Sequence, residues 1–206
     1  MKITFKKLLD NEAPDDVLCW FIGRYGQIGI VDHTQILNEL YIAKSNGSKW
    51  VSETFKLTGT YTIWYDCGKK RYTYTCKAGK KAGLLEGWYK SGQKSISCEY
   101  KNDKKYGVRI LYQENGKKKK EDTFKNNKLD GISTEYYKNG QKMREWAYKN
   151  DELNGIYISY SEDGQKKFEV PYKNDKLNGV AAEYDENGQK TVICAYKDGY
   201  SVNEKK

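Results

Sequence analysis

Glycine recurs at a fixed interval through most of this chain of 206 residues. In one series the members stand 24 residues apart without slippage, and a second series follows each of them by nine. The first series is Gly59, Gly83, Gly107, Gly131, Gly155 and Gly179, and the second is Gly68, Gly92, Gly116, Gly140, Gly164 and Gly188. A fixed period of this length means that one supersecondary unit is copied end to end and that each copy buries apolar surface against its neighbours. The pattern therefore predicts a repeat array, a shape that builds surfaces more readily than catalytic pockets.

Each copy opens with the pattern of a strand. After the leading Gly the odd positions are apolar or aromatic and those between are mixed polar, as in residues 132–136. Such alternation is typical of a half-buried strand. The fifth position is aromatic in every copy: Trp64, Trp88, Tyr112, Tyr136, Tyr160 and Tyr184. We expect these side chains to occupy the same inward site in each copy and to form an internal spine.

A turn and a returning strand complete the copy. In most copies Asn or Asp precedes the second-series Gly, and these residues accept the positive φ of a tight hairpin turn. In the returning strand positions 13, 15 and 17 are mostly apolar, although the third copy departs with Lys120 and Asp122. The aromatic residues at position 17 join the predicted spine: Tyr100, Phe124, Tyr148, Tyr172 and Tyr196. A polar loop then leads to the next copy.

These elements predict a fold that is mainly all-β: an elongated, twisted array of antiparallel β-hairpins. Six copies fill residues 59–200, and residues 201–206 form a polar tail. Pro171 lies within a second strand, where its missing N–H predicts a bulge or an edge. A mean hydropathy of −0.95 fits an array, which needs less core than a globular domain.

Residues 1–58 differ from the array. Their seven Lys and Arg balance seven Asp and Glu, so the net charge of +9 belongs to the remainder of the chain. Residues 14–23 read as a short capped helix or a buried strand, and residues 32–35 have capping-box spacing for another helix. We predict a small N-terminal α/β cap at residues 1–40, which closes the first sheet edge, and a degenerate hairpin at residues 41–58.

The fourth copy carries a family resemblance. Residues 131–142, which read Gly-Ile-Ser-Thr-Glu-Tyr-Tyr-Lys-Asn-Gly-Gln-Lys, and the later Tyr148-Lys149-Asn150 resemble the second variant of the MORN (membrane occupation and recognition nexus) repeat. The resemblance extends over residues 59–200. It implies a non-enzymatic module. Similar bacterial proteins are described as YwqK-type antitoxins, eukaryotic relatives scaffold membranes and cytoskeleton, and large DNA viruses of amoebae encode many such proteins.

Lysine also recurs in phase. Position 11 is Lys70, Lys94, Lys118, Lys142, Lys166 and Lys190, and position 18 is Lys77, Lys101, Lys125, Lys149, Lys173 and Lys197. Stacked copies would turn these into two rows of charge, suited to an acidic protein or an anionic membrane surface. Nucleic acid is a weaker candidate, because inward aromatic residues could not stack on bases. The alternative is that lysines beside turns keep the sheet soluble.

Catalysis is disfavoured by elimination. His33 is the sole histidine, so a Ser-His-Asp or Cys-His site would depend on it alone. No phosphate loop, Gly-x-Gly-x-x-Gly element or zinc pattern occurs, and the pairs Asp15-Asp16 and Glu121-Asp122 read as solvated or capping residues. We therefore predict no catalytic residue, no metal and no cofactor.

Cysteine usage and hydropathy suggest the compartment. The five cysteines, Cys19, Cys67, Cys76, Cys98 and Cys194, are odd in number and show no Cys-x-x-Cys spacing, which favours reduced, packed thiols over a disulfide framework. Cys76 and Cys98 are the one pair to check. No apolar stretch approaches the roughly 20 residues that span a bilayer, and no signal-peptide core is present. We expect a cytoplasmic protein, in the host cytoplasm or the virion if it is viral.

Together these observations predict a scaffold that binds another protein or a multi-subunit assembly. An example would be a minor structural or capsid-associated protein of a large DNA virus. The alternatives are an antitoxin-type inhibitor that binds a partner toxin and a scaffold on anionic lipid. Trp20, Phe21 and Trp50 would be anchors if the cap is the docking surface.

Overall fold

The computed structural model describes residues 2–4, 30–32, 58–65 and 67–202. Contacts divide the chain into two units, one of Met1–Gly92 with Tyr100–Asp103 and one of Gln93–Glu99 with Lys104–Lys206. Most of the predicted cap and all but the last residue of the hairpin at 41–58 lie outside the described residues.

The first unit contains a short ladder and the start of the array. Strands β1 (Lys2–Thr4) and β2 (Ile30–Asp32) pair antiparallel, with Lys2 opposite Asp32. Strands β3 (Gly59–Trp64), β4 (Lys70–Lys77) and β5 (Lys80–Trp88) pair antiparallel in sequence order. The buried apolar side chains of these strands are Tyr61, Ile63, Tyr74 and Cys76.

The second unit continues the hairpins. Its strands are β7 (Lys104–Tyr112), β8 (Lys118–Lys125), β9 (Lys128–Tyr136), β10 (Lys142–Lys149), β11 (Glu152–Leu153), β12 (Gly155–Tyr160), β13 (Lys166–Lys173), β14 (Lys176–Leu177), β15 (Gly179–Tyr184), β16 (Lys190–Lys197) and β17 (Tyr200–Val202); β6 (Lys94–Lys101) has residues in both units. From β7 onward the longer strands pair antiparallel in sequence order, β10 with β12 and β13 with β15, and the short β11 and β14 pair with β10 and β13. The predicted all-β antiparallel hairpin array is confirmed. Its last strand includes Ser201 and Val202, two residues beyond the predicted end.

Strand register determines which side chains share a face. The leading Gly lies opposite position 17 of the same copy, as Gly107 lies opposite Phe124, and Val108 lies opposite Thr123. Odd positions of the first strand therefore face even positions of the second. We name face 1 the face with positions 1, 3 and 5 of the first strands and face 2 the face with positions 15 and 17 of the second strands. The expectation that both sets of apolar residues point to one inward side is wrong, because successive side chains of a strand alternate between faces.

The predicted spine is consequently divided between the two faces. The aromatic residues at position 5 lie on face 1 and those at position 17 on face 2. None at position 5 is buried: Trp64 is 42% exposed, and Trp88, Tyr112, Tyr136, Tyr160 and Tyr184 are half-buried. At position 17 Phe124 is buried, and Tyr100, Tyr148, Tyr172 and Tyr196 are half-buried.

The leading glycines of the second unit are required by close approach. Gly131 and Gly155 have φ of +129° and +135°, which L side chains rarely adopt. A Cβ on Gly155 would stand 2.6 Å from the Cβ of Ala147, and one on Gly131 would stand 2.8 Å from the Cβ of Thr123. Ala147 and Thr123 occupy position 16 of the preceding copies. In the second unit glycine therefore recurs because neighbouring copies pack where it stands, whereas a Cβ on Gly83 of the first unit would come no nearer than 3.8 Å to Thr75.

Each copy has two connections, the second-series turn within the hairpin and the polar loop that leads to the next copy. The tight turn predicted for the first is found at the second. At the second-series turn only the Gly takes positive φ, as in Gly116 at +82°, and Asn115 accepts the Lys117 N–H through Oδ1 at 2.9 Å. The tight two-residue turn is instead the polar loop between copies, where Asn126 and Asn127 both take positive φ, +53° and +70°. Such turns match the twist of the flanking strands.

Pro171 lies at a break in the ladder. It faces Ile156, and its carbonyl accepts the N–H of Asn178, the residue that separates β14 from β15. The preceding copy has the same break, with the Asn154 N–H donated to the Ala147 carbonyl. The predicted irregularity at Pro171 is confirmed. Because the same break occurs opposite Ala147, it belongs to the repeat, and proline is compatible with it.

Candidate interaction surface

Face 1 carries a recurring cluster of Glu, Lys and Tyr. Glu145 accepts hydrogen bonds from Lys142 Nζ at 2.8 Å and from Tyr160 Oη at 2.5 Å. The lysine precedes the glutamate on the same strand, whereas Tyr160 belongs to the next copy. The cluster therefore links one copy to the next through a charged hydrogen bond.

Two further clusters have the same composition. Glu169 accepts from Lys166 at 2.6 Å, from Tyr184 at 2.6 Å and from Lys190 at 3.1 Å. In the third copy Glu121 accepts from Lys118 at 2.5 Å and from Tyr136 at 3.3 Å. The tyrosines predicted as a buried spine thus act at half-buried sites as hydrogen-bond donors between copies.

These contacts shift the acidity of their members. Hydrogen bonds from Lys166 and Tyr184 lower the pKa of Glu169 to about 2, although burial opposes the shift. Burial acts against ionisation of Glu145 too, but hydrogen bonds from Lys142 and Tyr160 outweigh it and hold its pKa below the usual range. Burial and the bond to Glu145 raise the pKa of Tyr160. Both carboxylates are therefore held in the ionised form that binds lysine.

The two lysine rows differ in consequence. At position 11, Lys118, Lys142, Lys166 and Lys190 each pair with a glutamate. At position 18, Lys77, Lys125, Lys149, Lys173 and Lys197 are exposed and form no ion pair within the described part of the chain. The remaining members are Lys70 and Lys101, which are exposed, and Lys94, which is half-buried. The anion-binding prediction therefore weakens for position 11 and stays a prediction for position 18.

A row of aliphatic side chains lies on face 1 of the second unit at position 1. Val108, Ile132, Ile156 and Val180 form this aliphatic row, with exposed fractions from 40% to 52%. Opposite them stand Thr123, Ala147, Pro171 and Ala195. At these positions the second strands between the members of the row therefore present only small or apolar side chains on face 1. In the first unit Leu84 has the same position and is 44% exposed.

Face 2 holds a buried charge that sequence reasoning placed in solvent. Asp122 is 1% exposed and pairs with Arg109, whose Nε lies 3.0 Å from Oδ2, and it accepts the Ser133 hydroxyl at 2.6 Å. Glu121, its neighbour, projects to face 1. The expectation that Glu121-Asp122 is a solvated pair is wrong because adjacent strand residues point to opposite faces. The signal in the sequence was that the third copy carries Asp122 at position 15, where the other copies carry apolar or aromatic residues. The register places Arg109 opposite it.

Aromatic side chains occupy much of the remainder of face 2. Trp146 and Tyr157 lie with ring centroids 5.7 Å apart, and the Arg109 guanidinium stands 5.0 Å from the Phe124 ring centroid. Leu129, Leu153 and Leu177, which follow the two-residue turns in β9, β11 and β14, are half-buried.

The described cysteines are not joined in disulfides. Cys76 and Cys98 are buried, Cys194 is half-buried and Cys67 is exposed. Burial and then the charge of Asp103 raise the pKa of Cys76 to about 11. Cys76 and Cys98, the pair singled out from the sequence, therefore form no disulfide.

Several candidate residues lie outside the described residues: Asp15, Asp16, Cys19, Trp20, Phe21, His33 and Trp50. In the described part of the chain, no three His, Cys, Asp or Glu side chains are grouped so as to hold a metal ion. In the same part no helix has the length and apolar character needed to cross a bilayer.

Comparison with known proteins identifies the repeat. A family model described as a MORN repeat variant matches residues 105–126, 129–150, 153–174 and 177–198. No curated protein matches the chain. Among solved structures, a mutant of S. aureus TarM in complex with fondaparinux, alpha-GlcNAc-glycerol and UDP is similar at 12% identity and a TM-score of 0.33, over 84% of this chain and 35% of that one. The chain thus spans about a third of that structure's length. The four matched copies coincide with the hairpins β7–β8, β9–β10, β12–β13 and β15–β16, so residues 105–198 are four consecutive MORN repeats.

Proposed function

We propose that this chain is a non-enzymatic scaffold that binds another protein through face 1, as a component of a larger assembly. MORN repeats are generally modules that bind proteins or membranes. The observation that carries the proposal is the aliphatic row, because four large apolar side chains in register are exposed on one face of the second unit. Scattered exposed apolar residues need no explanation, whereas contiguous apolar surface marks interaction sites.

The row has the spacing of a docking surface. Its members stand on every second strand, which places them roughly 10 Å apart. Complete burial of such a side chain contributes about 1.5–3 kcal/mol, so covering the exposed half of each would contribute roughly 1 kcal/mol. Four such contacts could anchor a partner, and the ionised Glu–Lys–Tyr clusters beside the row would form a polar rim.

The setting we favour is an assembly with fixed stoichiometry, such as the particle of a large virus. An antitoxin-type inhibitor would instead rescue growth against a toxin, and a lipid scaffold would sediment with anionic vesicles in a salt-sensitive manner. Each alternative predicts a different bound species, so one experiment separates them.

The test is a tagged pull-down from the native source at low and high salt. It compares the wild type with Val108→Thr/Ile132→Thr, which keeps β-branched residues in the row while removing apolar surface. Phe168→Thr, on face 2 and 39% exposed, is the control. We expect a stoichiometric protein that resists high salt with the wild type and the control, and about tenfold less of it with the double variant.

Two outcomes would contradict the proposal. One is a partner that the double variant retains as well as the wild type does, which would remove face 1 from the interaction. The other is recovery of lipid or nucleic acid alone, lost at high salt, which would make the lysines at position 18 the functional surface.

A further inference from the structure

Apolar exposure on face 1 is densest in the last copy. Val180 lies opposite Ala195, Val202 lies opposite the same Ala195 from β17, and Tyr200 lies opposite Lys197. Ile156 of the preceding copy continues the surface through Pro171. The register therefore places Ile156, Val180, Tyr200 and Val202 on one face, and their exposed fractions run from 46% for Val202 to 79% for Tyr200.

A displaced bulge adds one more apolar residue. In the hairpins β7–β8, β9–β10 and β12–β13 the irregularity lies at or beyond position 4, whereas in β15–β16 it lies between Ala181 and Ala182. Val192 is consequently opposite Ala182, on face 1, and is 61% exposed. We name Ile156, Val180, Val192, Tyr200 and Val202 the β17 patch.

The patch replaces polar residues that other copies carry. Tyr200 stands at position 21, which is Lys80, Lys104, Lys128 and Lys176 in four other copies. Val202 stands at position 23, which is Asn154 and Asn178 in the two copies before it. β9 is continuous with Lys128 and Asp130 at these two positions, so strand formation does not require the apolar residues.

Charge indicates what could cover the patch. Residues 59–130 carry 18 Lys and Arg against eight Asp and Glu, whereas residues 131–202 carry ten against 12. Two molecules that met through the basic copies would repel each other. Two that met through the last copies would join surfaces close to neutral, and the lysines and aspartates around the patch, such as Lys197 and Asp198, could pair across a two-fold axis.

The available area is of the order that such a contact takes. Both β14 and β15 pair with β13, so five strand positions lie between β12 and β17. At about 4.8 Å spacing and with roughly six residues each, they would cover a projected area of roughly 480 Å². A stable interface takes about 800 Å² of accessible surface from each partner, and the accessible area of a corrugated face exceeds its projection.

We propose that the β17 patch is an isologous interface at which two copies of this chain dimerise face 1 to face 1. The patch shares Ile156 and Val180 with the aliphatic row and leaves Val108 and Ile132 of each copy to the partner of the proposed function. A dimer would therefore present two shorter partner surfaces, and the inference goes beyond that function without depending on it.

The test is the oligomeric state of the purified full chain, measured by sedimentation velocity from low to high micromolar concentration. The wild type is expected to show a concentration-dependent dimer. Tyr200→Lys/Val202→Asn gives β17 residues that other copies carry at these positions and should weaken the dimer by tenfold or more. Phe168→Lys, on face 2 and facing Glu183, is the control and should dimerise like the wild type.

The outcomes either support or overturn the interface. A wild type that is monomeric at the highest concentration overturns it, and so does a dimer that survives Tyr200→Lys/Val202→Asn. Far-UV circular dichroism and thermal melts check that the variants fold. Because the pull-down uses Val108 and Ile132 and the sedimentation uses Tyr200 and Val202, failure of one proposal does not imply failure of the other.

Discussion

At the residue scale, Glu169 shows how one carboxylate ties stability to pH. Lys166 and Tyr184 lower its pKa to about 2, whereas a glutamate in an unfolded chain has a pKa of about 4.3. Because the folded pKa is the lower one, the cluster stabilises the fold fully above pH 4.3 and progressively less as the pH falls toward 2.

Glu169→Gln should remove this pH dependence. The difference in unfolding free energy between wild type and variant is expected to be largest above about pH 5 and to shrink toward pH 2, as measured by urea unfolding at a series of pH values. Glu162→Gln, at an exposed side chain, serves as the control and should follow the wild type. A difference that stayed constant from pH 5 to pH 2 would mean that Glu169 stabilises by packing rather than by charge.

At the scale of the element, the two-residue turns join successive copies. Asp151 has φ of +75° in its turn, and its Oδ1 accepts the N–H of Leu129, in strand β9 of the preceding connection, at 2.6 Å. Its own N–H is donated to the Leu129 carbonyl at 2.8 Å. Asn127 and Asp175 make the same side-chain contact in neighbouring copies. Each turn therefore depends on a residue that both tolerates positive φ and accepts a hydrogen bond.

Substitutions at Asp151 can separate these two requirements. Asp151→Gly keeps the conformation and loses the side-chain bond, which should cost roughly 1 kcal/mol. Asp151→Ala loses the bond and also adopts a left-handed conformation, which adds about 1–2 kcal/mol. Asp151→Asn, which copies Asn127, should be close to neutral. Urea unfolding midpoints that placed Ala level with Gly would show that conformation at this turn carries no cost.

The same elements show where sequence reasoning succeeds. Alternating apolar residues and the glycine period predict strands and hairpins because both are local properties of a copy. Which side chains of the two strands share a face is not a local property. It depends on whether Gly107 lies opposite an odd or an even position of the second strand, and only the strand pairing determines that. Asp122 was misplaced for this reason. Turn types were exchanged because Asn-Gly and Asn-Asn tolerate similar φ, and the number of residues between paired strands decides between them.

The interaction surface was predicted less well than the fold. The lysine rows were visible in the sequence, but their neutralisation at position 11 was not. In a regular strand a glutamate three residues later would lie on the opposite face. The register shift between positions 11 and 13 places Lys142 and Lys166 on the face of Glu145 and Glu169. The aliphatic row was read as inward because Ile132 and Ile156 alternate with polar residues. No second layer of the described residues packs against face 1. The alternation therefore places these side chains on one face of the sheet, but they stay about half exposed.

At the scale of the whole molecule, a repeat array should respond to damage locally. Contacts in such an array run between neighbouring copies, so stability approximates a sum of copy and neighbour terms. Gly155 is a suitable site for a local defect, because its φ of +135° disfavours any side chain and its Cβ would meet Ala147 of the preceding copy. Gly155→Ala is therefore expected to loosen β10, β12 and β13 by roughly 1–3 kcal/mol.

Hydrogen exchange followed by mass spectrometry can locate the defect. Amides of β10, β12 and β13 should exchange faster in Gly155→Ala, whereas those of β3 and β4 should keep their wild-type rates. Adding Ala147→Gly removes the steric contact and leaves the strained φ, so it should restore part of the protection and divide the cost between the two causes. Faster exchange by the same factor in β3 and β4 would instead mean that the described strands unfold as one cooperative unit, and the neighbour-by-neighbour account of this array would be wrong.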